Sequence, residues 1–354
     1  MNLLASTIKK ITPQDADARA RARTRLEQLT MPYWALGRLM DLAEELAGIT
    51  GSIKPPVGRK TIVTMAGDHG IAAAGVSKYP QEVTVQMVYN FVNGGAGINA
   101  LARLVGARVV IVDMGVAGDL SALVKAGKII SKRVGAGTKN IVTGPAMSRD
   151  EAVRSLEGGI EVALELGAST DIFGTGDMGI GNTSPSAAII NIFSGAAVSE
   201  IAGRGTGIDD GQLLHKVVMI EKAIEVNKPN HDDALDVLAK VGGFEIGGIA
   251  GLILGAASMR KPVLIDGFIS TAGALIAANL APASRDYIIA SHRSMEKGHK
   301  IALDCLGKKP LLDLDLRLGE GTGAALSMNL AEAATRIITE VATFEEAAVS
   351  KADK

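Results

Sequence analysis

Thr61-Ile62-Val63-Thr64-Met65 is a short β-branched, apolar run, with Lys54-Pro55-Pro56 ahead of it and Gly67-Asp68-His69-Gly70 behind it. A run of that length between turn residues predicts a buried strand. Residues 83–104 then read as helical, and Arg108-Val109-Val110-Ile111-Val112-Asp113 reads as the next strand. The alternation continues with strands at 170–173, 262–265, 287–290 and 311–316, and a helical stretch at 184–201. About six strands, mostly separated by helix-length segments, predict an α/β fold with a doubly wound, mostly parallel six-stranded sheet and helices on both faces. Outside this core, residues 15–28 and 34–47 read as N-terminal helices, the second apolar at Leu36, Leu39, Met40, Ala43 and Leu46. A C-terminal helix from Ala324 to about residue 343 is apolar at Leu326, Leu330, Ala334, Ile337, Ile338 and Val341. These ends, residues 1–55 and 324–354, are expected to form a small helical domain beside a large α/β domain at 56–323.

Composition narrows the function classes. The 354 residues are 47% apolar and 21% charged, enough for a large core. A net charge of −1 with 3% aromatics leaves neither a basic stripe for phosphate backbones nor rings for stacking bases, so nucleic acid and anionic membrane are not expected partners. Cys305 is the only cysteine, so intramolecular disulfides and Cys-based zinc sites are excluded. The start lacks a basic region followed by an apolar run, and no stretch reaches about 20 apolar residues. A cytoplasmic protein is the expectation.

Polar residues and glycines follow the predicted strands: Asp68 and His69, Asp113 and Gly115, 174–183, Asp266 and Gly267, Ser291 and His292, and Glu320. In open α/β sheets ligands bind at that carboxyl edge. Glu320 stands alone between Gly319 and Gly321 with little local structural work to do, and is the candidate catalytic base. Gly174-Thr175-Gly176-Asp177-Met178-Gly179-Ile180-Gly181-Asn182-Thr183 looks like a phosphate-binding turn at a helix N-terminus. It nearly fits the dinucleotide fingerprint, but Glu200, at the spacing of the ribose-binding acid, lies in a helical stretch. Gly176 and Gly181 frame a near-P-loop that lacks its lysine, Asn182 standing in that place. A mononucleotide phosphate is the better expectation, with Arg204 of Gly203-Arg204-Gly205-Thr206-Gly207 and Lys216 able to complete a clamp. Asp209-Asp210 has no preceding strand, which argues against a phosphoribosyl-pyrophosphate site. His292 and His299 lack a third ligand at metal-binding spacing, so no metal is expected. Asp68-His69 reads equally as an acid–base pair or as a cap with a structural histidine.

Several of these motifs together carry a resemblance. Gly67-Asp68-His69-Gly70-Ile71, the segment from Gly75 to Met87, Gly94-Gly95-Ala96-Gly97-Ile98-Asn99, Met178 to Thr183, Gly203 to Gly207, Asp266-Gly267-Phe268-Ile269-Ser270, Ser291-His292-Arg293-Ser294 and Leu316 to Ala325 resemble the nicotinate-nucleotide–dimethylbenzimidazole phosphoribosyltransferases. The resemblance runs essentially from end to end. It implies a homodimeric cytosolic enzyme, without metal or organic cofactor, that moves phosphoribose from nicotinate mononucleotide to a benzimidazole-type base. By motif it makes Glu320 the catalytic base and puts Ser77, Tyr79, Gln86 and Leu318 around the aromatic base. It puts Gly174, Gly176, Asp177, Asn182, Thr183, Arg204, Gly205, Lys216, Asp266 and Ser291 around the nucleotide's phosphate and ribose. Many relatives carry Glu where this chain has Asp177, one methylene shorter. An oxidoreductase using NAD on the Gly174 segment and a non-catalytic nucleotide-sensing protein are the rival expectations.

Overall fold

The computed structural model describes residues 2–205 and 207–350; Thr206 of the second glycine-rich turn and the last four residues of the expected helical domain lie outside them. Six strands form one all-parallel sheet: β1 Lys60–Gly67, β2 Arg108–Gly115, β3 Ile130–Ser131, β4 Ile172–Met178, β5 Val263–Ile265 and β6 Ile288–Ala290. Their spatial order is β3-β2-β1-β4-β5-β6, which reverses direction between β1 and β4. A crevice opens at such a reversal, outside the carboxyl ends of the strands.

β1 is buried along its whole length, and its side chains alternate between the two faces. Val63 and Met65 enter one apolar cluster with the helices Arg149–Gly167, Phe244–Ser258 and Phe268–Leu280. Ile62 and Ala66 enter another with the helices Arg38–Thr50, Gly97–Val105 and Thr322–Glu340. Burial on both faces is why the strands read as continuous apolar runs. The N-terminal helices pack on Thr322–Glu340, and Arg25 Nε donates to the Ile338 carbonyl at 2.7 Å. The apolar cluster continues from there onto the sheet. Among the described residues no helix is long and apolar enough to cross a membrane.

Three details depart from the sequence expectation. Residues 311–316 do not form a strand: Leu312 makes a single parallel bridge to His292, Leu314 is exposed, and Asp315 is left-handed at φ +55°. That left-handed residue breaks the pleat, and the short edge pair Ile130–Ser131 is the sixth strand instead. β4 runs through Met178, so Gly174 and Gly176 are strand residues and not part of a turn. The helical stretches at 83–104 and 184–201 are each broken at glycines, into Glu82–Val92 with Gly97–Val105 and into Thr183–Ser194 with Val198–Ile201.

Candidate active site

A cavity of about 740 Å³ lies at the carboxyl ends of β4 and β5, walled by residues 315–320 on one side and by Tyr79, Val83 and Met87 on another. Glu320 lines it from a turn of three successive left-handed residues: Gly319 at φ +82°, Glu320 at +63° and Gly321 at +98°. A non-glycine residue in that region costs about 1–3 kcal/mol, so the surroundings must hold it there. Thr64 Oγ1, in the middle of β1, donates to the Glu320 carbonyl at 2.9 Å. Glu320 Oε2 accepts the Ile98 N–H at 3.1 Å, at the start of the helix Gly97–Val105. Burial pushes the Glu320 carboxyl above the usual glutamate range, and the bond from Ile98 opposes that rise. A carboxylate made more basic and aimed at a cavity suits proton abstraction.

The strand glycines explain how the turn fits. A Cβ on Gly176 would overlap the Glu320 carbonyl and the Gly321 nitrogen, and one on Gly174 would overlap Ile62. Neither lines the cavity, so the expectation that they cradle phosphate is corrected: they admit the Glu320 turn and the C-terminal helix against the sheet. Gly176→Ala is expected to push the turn off β4, costing about 1–3 kcal/mol as overpacking does. Thermal unfolding, read beside turnover, checks this; an unshifted midpoint with full activity would refute it.

Asp266 and Ser291 are also displaced from their expected roles. Both are buried behind the cavity wall. The Asp266 carboxylate accepts N–H bonds from Gly321 at 3.0 Å, Gly323 at 2.7 Å and Ala324 at 3.0 Å. Burial pushes its pKa up to about 7, against the pull of those three donors. Ser291 Oγ donates to the Ile265 carbonyl at 2.6 Å, and the Ser291 carbonyl accepts from Ser327 Oγ at 3.0 Å. Their side chains are spent on the protein's own backbone and leave nothing for a ligand.

Lys216 and Thr183 do come together, although Lys216 itself does not line the cavity. Lys216, buried, donates from Nζ to Thr183 Oγ1 at 2.8 Å and to the Gly203 carbonyl at 3.0 Å. Thr183 begins the helix Thr183–Ser194, whose N-terminal end carries partial positive charge. Asn182, Thr183 and Gly205 line the cavity there. Desolvation lowers the Lys216 pKa to about 8, with the Glu296 carboxylate opposing. Arg204 is not part of this pairing: half-exposed, it bonds Asp210 and the Ile208 carbonyl, the latter at 2.9 Å. The acidic first turn of the next helix captures it, so Arg204 and Lys216 do not converge as expected.

Asp177, the penultimate residue of β4, lines the cavity. Its Oδ2 accepts from Asn182 Nδ2 at 3.0 Å, while Oδ1 has no hydrogen-bond partner among the described residues. Burial first, then the neighbouring Asp266 and Glu245 charges, raise its pKa well above the aspartate range.

Tyr79 and Leu318 stand at the cavity mouth, both half-exposed. Ser77 and Gln86 do not line the cavity. Ser77 Oγ accepts the Tyr79 N–H at 3.3 Å, and Gln86 is exposed. On the helix Glu82–Val92, Val83 and Met87 lie one turn apart on the cavity side, and Gln86 is rotated from Val83 by about 60° and from Met87 by about 100°. That spacing was readable in the chain; which side faces the cavity was not. His292 and Glu296 also line the cavity and were missed as site residues. Desolvation lowers the His292 pKa to about 4, so the ring is neutral. Among the described residues no three His, Cys, Asp or Glu side chains converge as metal ligands. His69 pairs by Nε2 with Glu245 Oε1 at 2.6 Å, deep in the core, and Asp68 Oδ2 accepts the Ala117 N–H at 2.8 Å. The acid–base reading of Asp68-His69 gives way to two separate structural contacts.

The chain is similar along its whole length to known proteins. The phosphoribosyltransferase family model matches residues 11–349. The nicotinate-nucleotide–dimethylbenzimidazole phosphoribosyltransferase of Syntrophotalea carbinolica is 63% identical over 99% of both chains. Its counterpart from Desulfotalea psychrophila is 59% identical over the full length of both. The crystal structure of the Thermus thermophilus enzyme of that name superposes with a TM-score of 0.90 at 43% identity, covering 96% of this chain and 100% of that one.

Proposed function

Since the chain belongs to the phosphoribosyltransferase family, we propose that it transfers phosphoribose from nicotinate mononucleotide to 5,6-dimethylbenzimidazole or a related lower-ligand base. The products are α-ribazole 5′-phosphate and nicotinate, and the step serves assembly of the cobalamin nucleotide loop. The observation that carries this is one cavity lined by the buried Glu320, whose carboxyl is raised toward basicity, by Thr183, which accepts from the Nζ of the buried Lys216, and by the apolar side chains of Val83, Met87 and Leu318. The 5′-phosphate sits at Thr183 and Lys216, and the flat aromatic base lies against the apolar side chains.

The chemistry follows from the substrates. The pyridinium of the nucleotide leaves as a neutral ring nitrogen and needs no general acid. The free imine nitrogen of the benzimidazole attacks C1′ of the ribose from the face opposite the leaving group, which turns a β-nucleotide into an α-product. As that bond forms, the acceptor's other N–H becomes acidic, and Glu320 removes the proton. Orienting both substrates in a water-poor crevice supplies the remaining acceleration. The enzyme is read as a cytosolic homodimer with no metal or organic cofactor; sedimentation at micromolar concentration checks the oligomeric state.

The dinucleotide alternative loses its supporting loop, because Gly174 and Gly176 lie inside β4 beneath the Glu320 turn. Mass-resolved product analysis with nicotinate mononucleotide and 5,6-dimethylbenzimidazole tests the assignment. A new α-ribazole phosphate peak is the expected result. Nucleotide binding with no product from any benzimidazole, purine or phenolic acceptor would point instead to a sensor.

A further inference from the structure

Glu320 owes its aim to its backbone. Its side chain has a single protein partner among the described residues, the Ile98 N–H, and the residue sits in a left-handed conformation that side chains disfavour. Two buried groups meet the turn from behind. Thr64 Oγ1 donates to the Glu320 carbonyl, on the residue that pairs with Gly176 across β1 and β4. Asp266 takes the Gly323 and Ala324 N–H groups on Oδ1 and the Gly321 N–H on Oδ2, closing the free donors at the start of the C-terminal helix. Neither Thr64 nor Asp266 lines the cavity. His292 completes the support: its ring fills the space where a Cβ on Gly323 would stand, and its Nδ1 lies 3.8 Å from Asp266 Oδ1.

We propose that Thr64 and Asp266 are positioning residues, which hold the left-handed Glu320 turn by its carbonyl and by the N–H groups that follow it, and so aim its carboxylate into the cavity. The inference rests on Glu320 being the base. Both act through the backbone, so they govern the chemical step and not the binding of the nucleotide's phosphate, which the proposed function assigns to Thr183 and Lys216.

The conservative pair at Thr64 gives the sharpest test. Thr64→Val keeps the shape and removes the donor; Thr64→Ser keeps the donor. Asp266→Asn keeps the size but sets an amide N–H₂ against backbone N–H groups. Misplacement of a reacting group by about 1 Å costs roughly 10²-fold. Thr64→Val is therefore expected to lose about tenfold or more in kcat, with the KM for nicotinate mononucleotide held within about threefold and Thr64→Ser near wild type. Asp266→Asn is expected to lose more, with the same kcat-over-KM split. Thermal midpoints and single-turnover rates per folded enzyme separate aim from stability. If Asp266→Asn does not fold, the Thr64 pair decides alone. Wild-type kcat in Thr64→Val, with Glu320→Gln disabled in parallel, overturns this inference only. Wild-type turnover in Glu320→Gln overturns the base assignment and this inference with it. Equal losses in Thr64→Ser and Thr64→Val also overturn it, because the hydroxyl would then not be the cause.

Discussion

Glu320→Gln is expected to lower turnover by about 10²–10⁴-fold, which is roughly 3–5 kcal/mol of barrier. The amide keeps the size of the side chain, and its carbonyl oxygen can still accept the Ile98 N–H, so the turn and the fold should survive. What it cannot do is take the acceptor's proton. Nucleotide affinity should stay close to wild type, because Lys216 and Thr183 are untouched. The wild-type rate should fall as pH drops through the raised pKa of Glu320, where the base becomes protonated. The variant should lack that acid limb. Single-turnover kinetics across pH, with melting curves for both proteins, provide the check, and near-normal turnover in the variant would remove Glu320 from the mechanism.

Lys216→Met should act on the other substrate. A hydrogen bond to a charged group is worth about 1.5–3 kcal/mol, so losing the ammonium should raise the KM for nicotinate mononucleotide roughly 10–150-fold. The KM for the benzimidazole should barely move. The wild type carries a matching pH signature. The Lys216 pKa in the free enzyme is lowered to about 8, and phosphate favours the protonated amine. Below pH 8 the charge is already present, and Lys216 adds no dependence. As pH rises above that value the amine loses its proton, so nucleotide affinity should fall by about tenfold per unit. Isothermal titration of nicotinate mononucleotide between pH 7 and 10 tests both points: a flat wild-type profile, or a variant that binds like wild type, would place the phosphate elsewhere.

How far the site was legible depended on what each residue's chemistry is spent on. Glu320 was found because two glycines around a lone carboxylate leave it no local partner, and the structure does bring it to the cavity. Lys216 was read with the glycine-rich, cationic turn at 203–207 and Thr183 with the stretch at 174–183, and the two side chains do meet. Arg204 was read together with Lys216, yet Asp210, six residues on, binds it, and it does not line the cavity. Asp266 and Ser291 stand where a ligand group would in sequence, one residue past β5 and β6, but the Asp266 carboxylate turns to the start of the C-terminal helix and the Ser291 hydroxyl to the Ile265 carbonyl. The glycines of β4 look the same in sequence whether they yield to a phosphate or to a neighbouring backbone.

The chain's own order of residues determined the alternation of buried strands and helices, the edge of the sheet where polar groups collect, and the glycine-flanked Glu320. Those are local properties: β-branched runs favour the pleated buried sheet, and side-chain period decides which residues share a face. Only the tertiary structure decided which short segment became the sixth strand, which side of the helix Glu82–Val92 faces the cavity, and that Asp266, Thr64 and Gly176 serve the Glu320 turn. Each of those contacts joins residues far apart in the chain, Thr64 and Glu320 being 256 positions apart. Whether a buried polar group meets a ligand or a distant backbone N–H is set by packing, because most such groups find a partner and the nearest one in space is not the nearest in sequence.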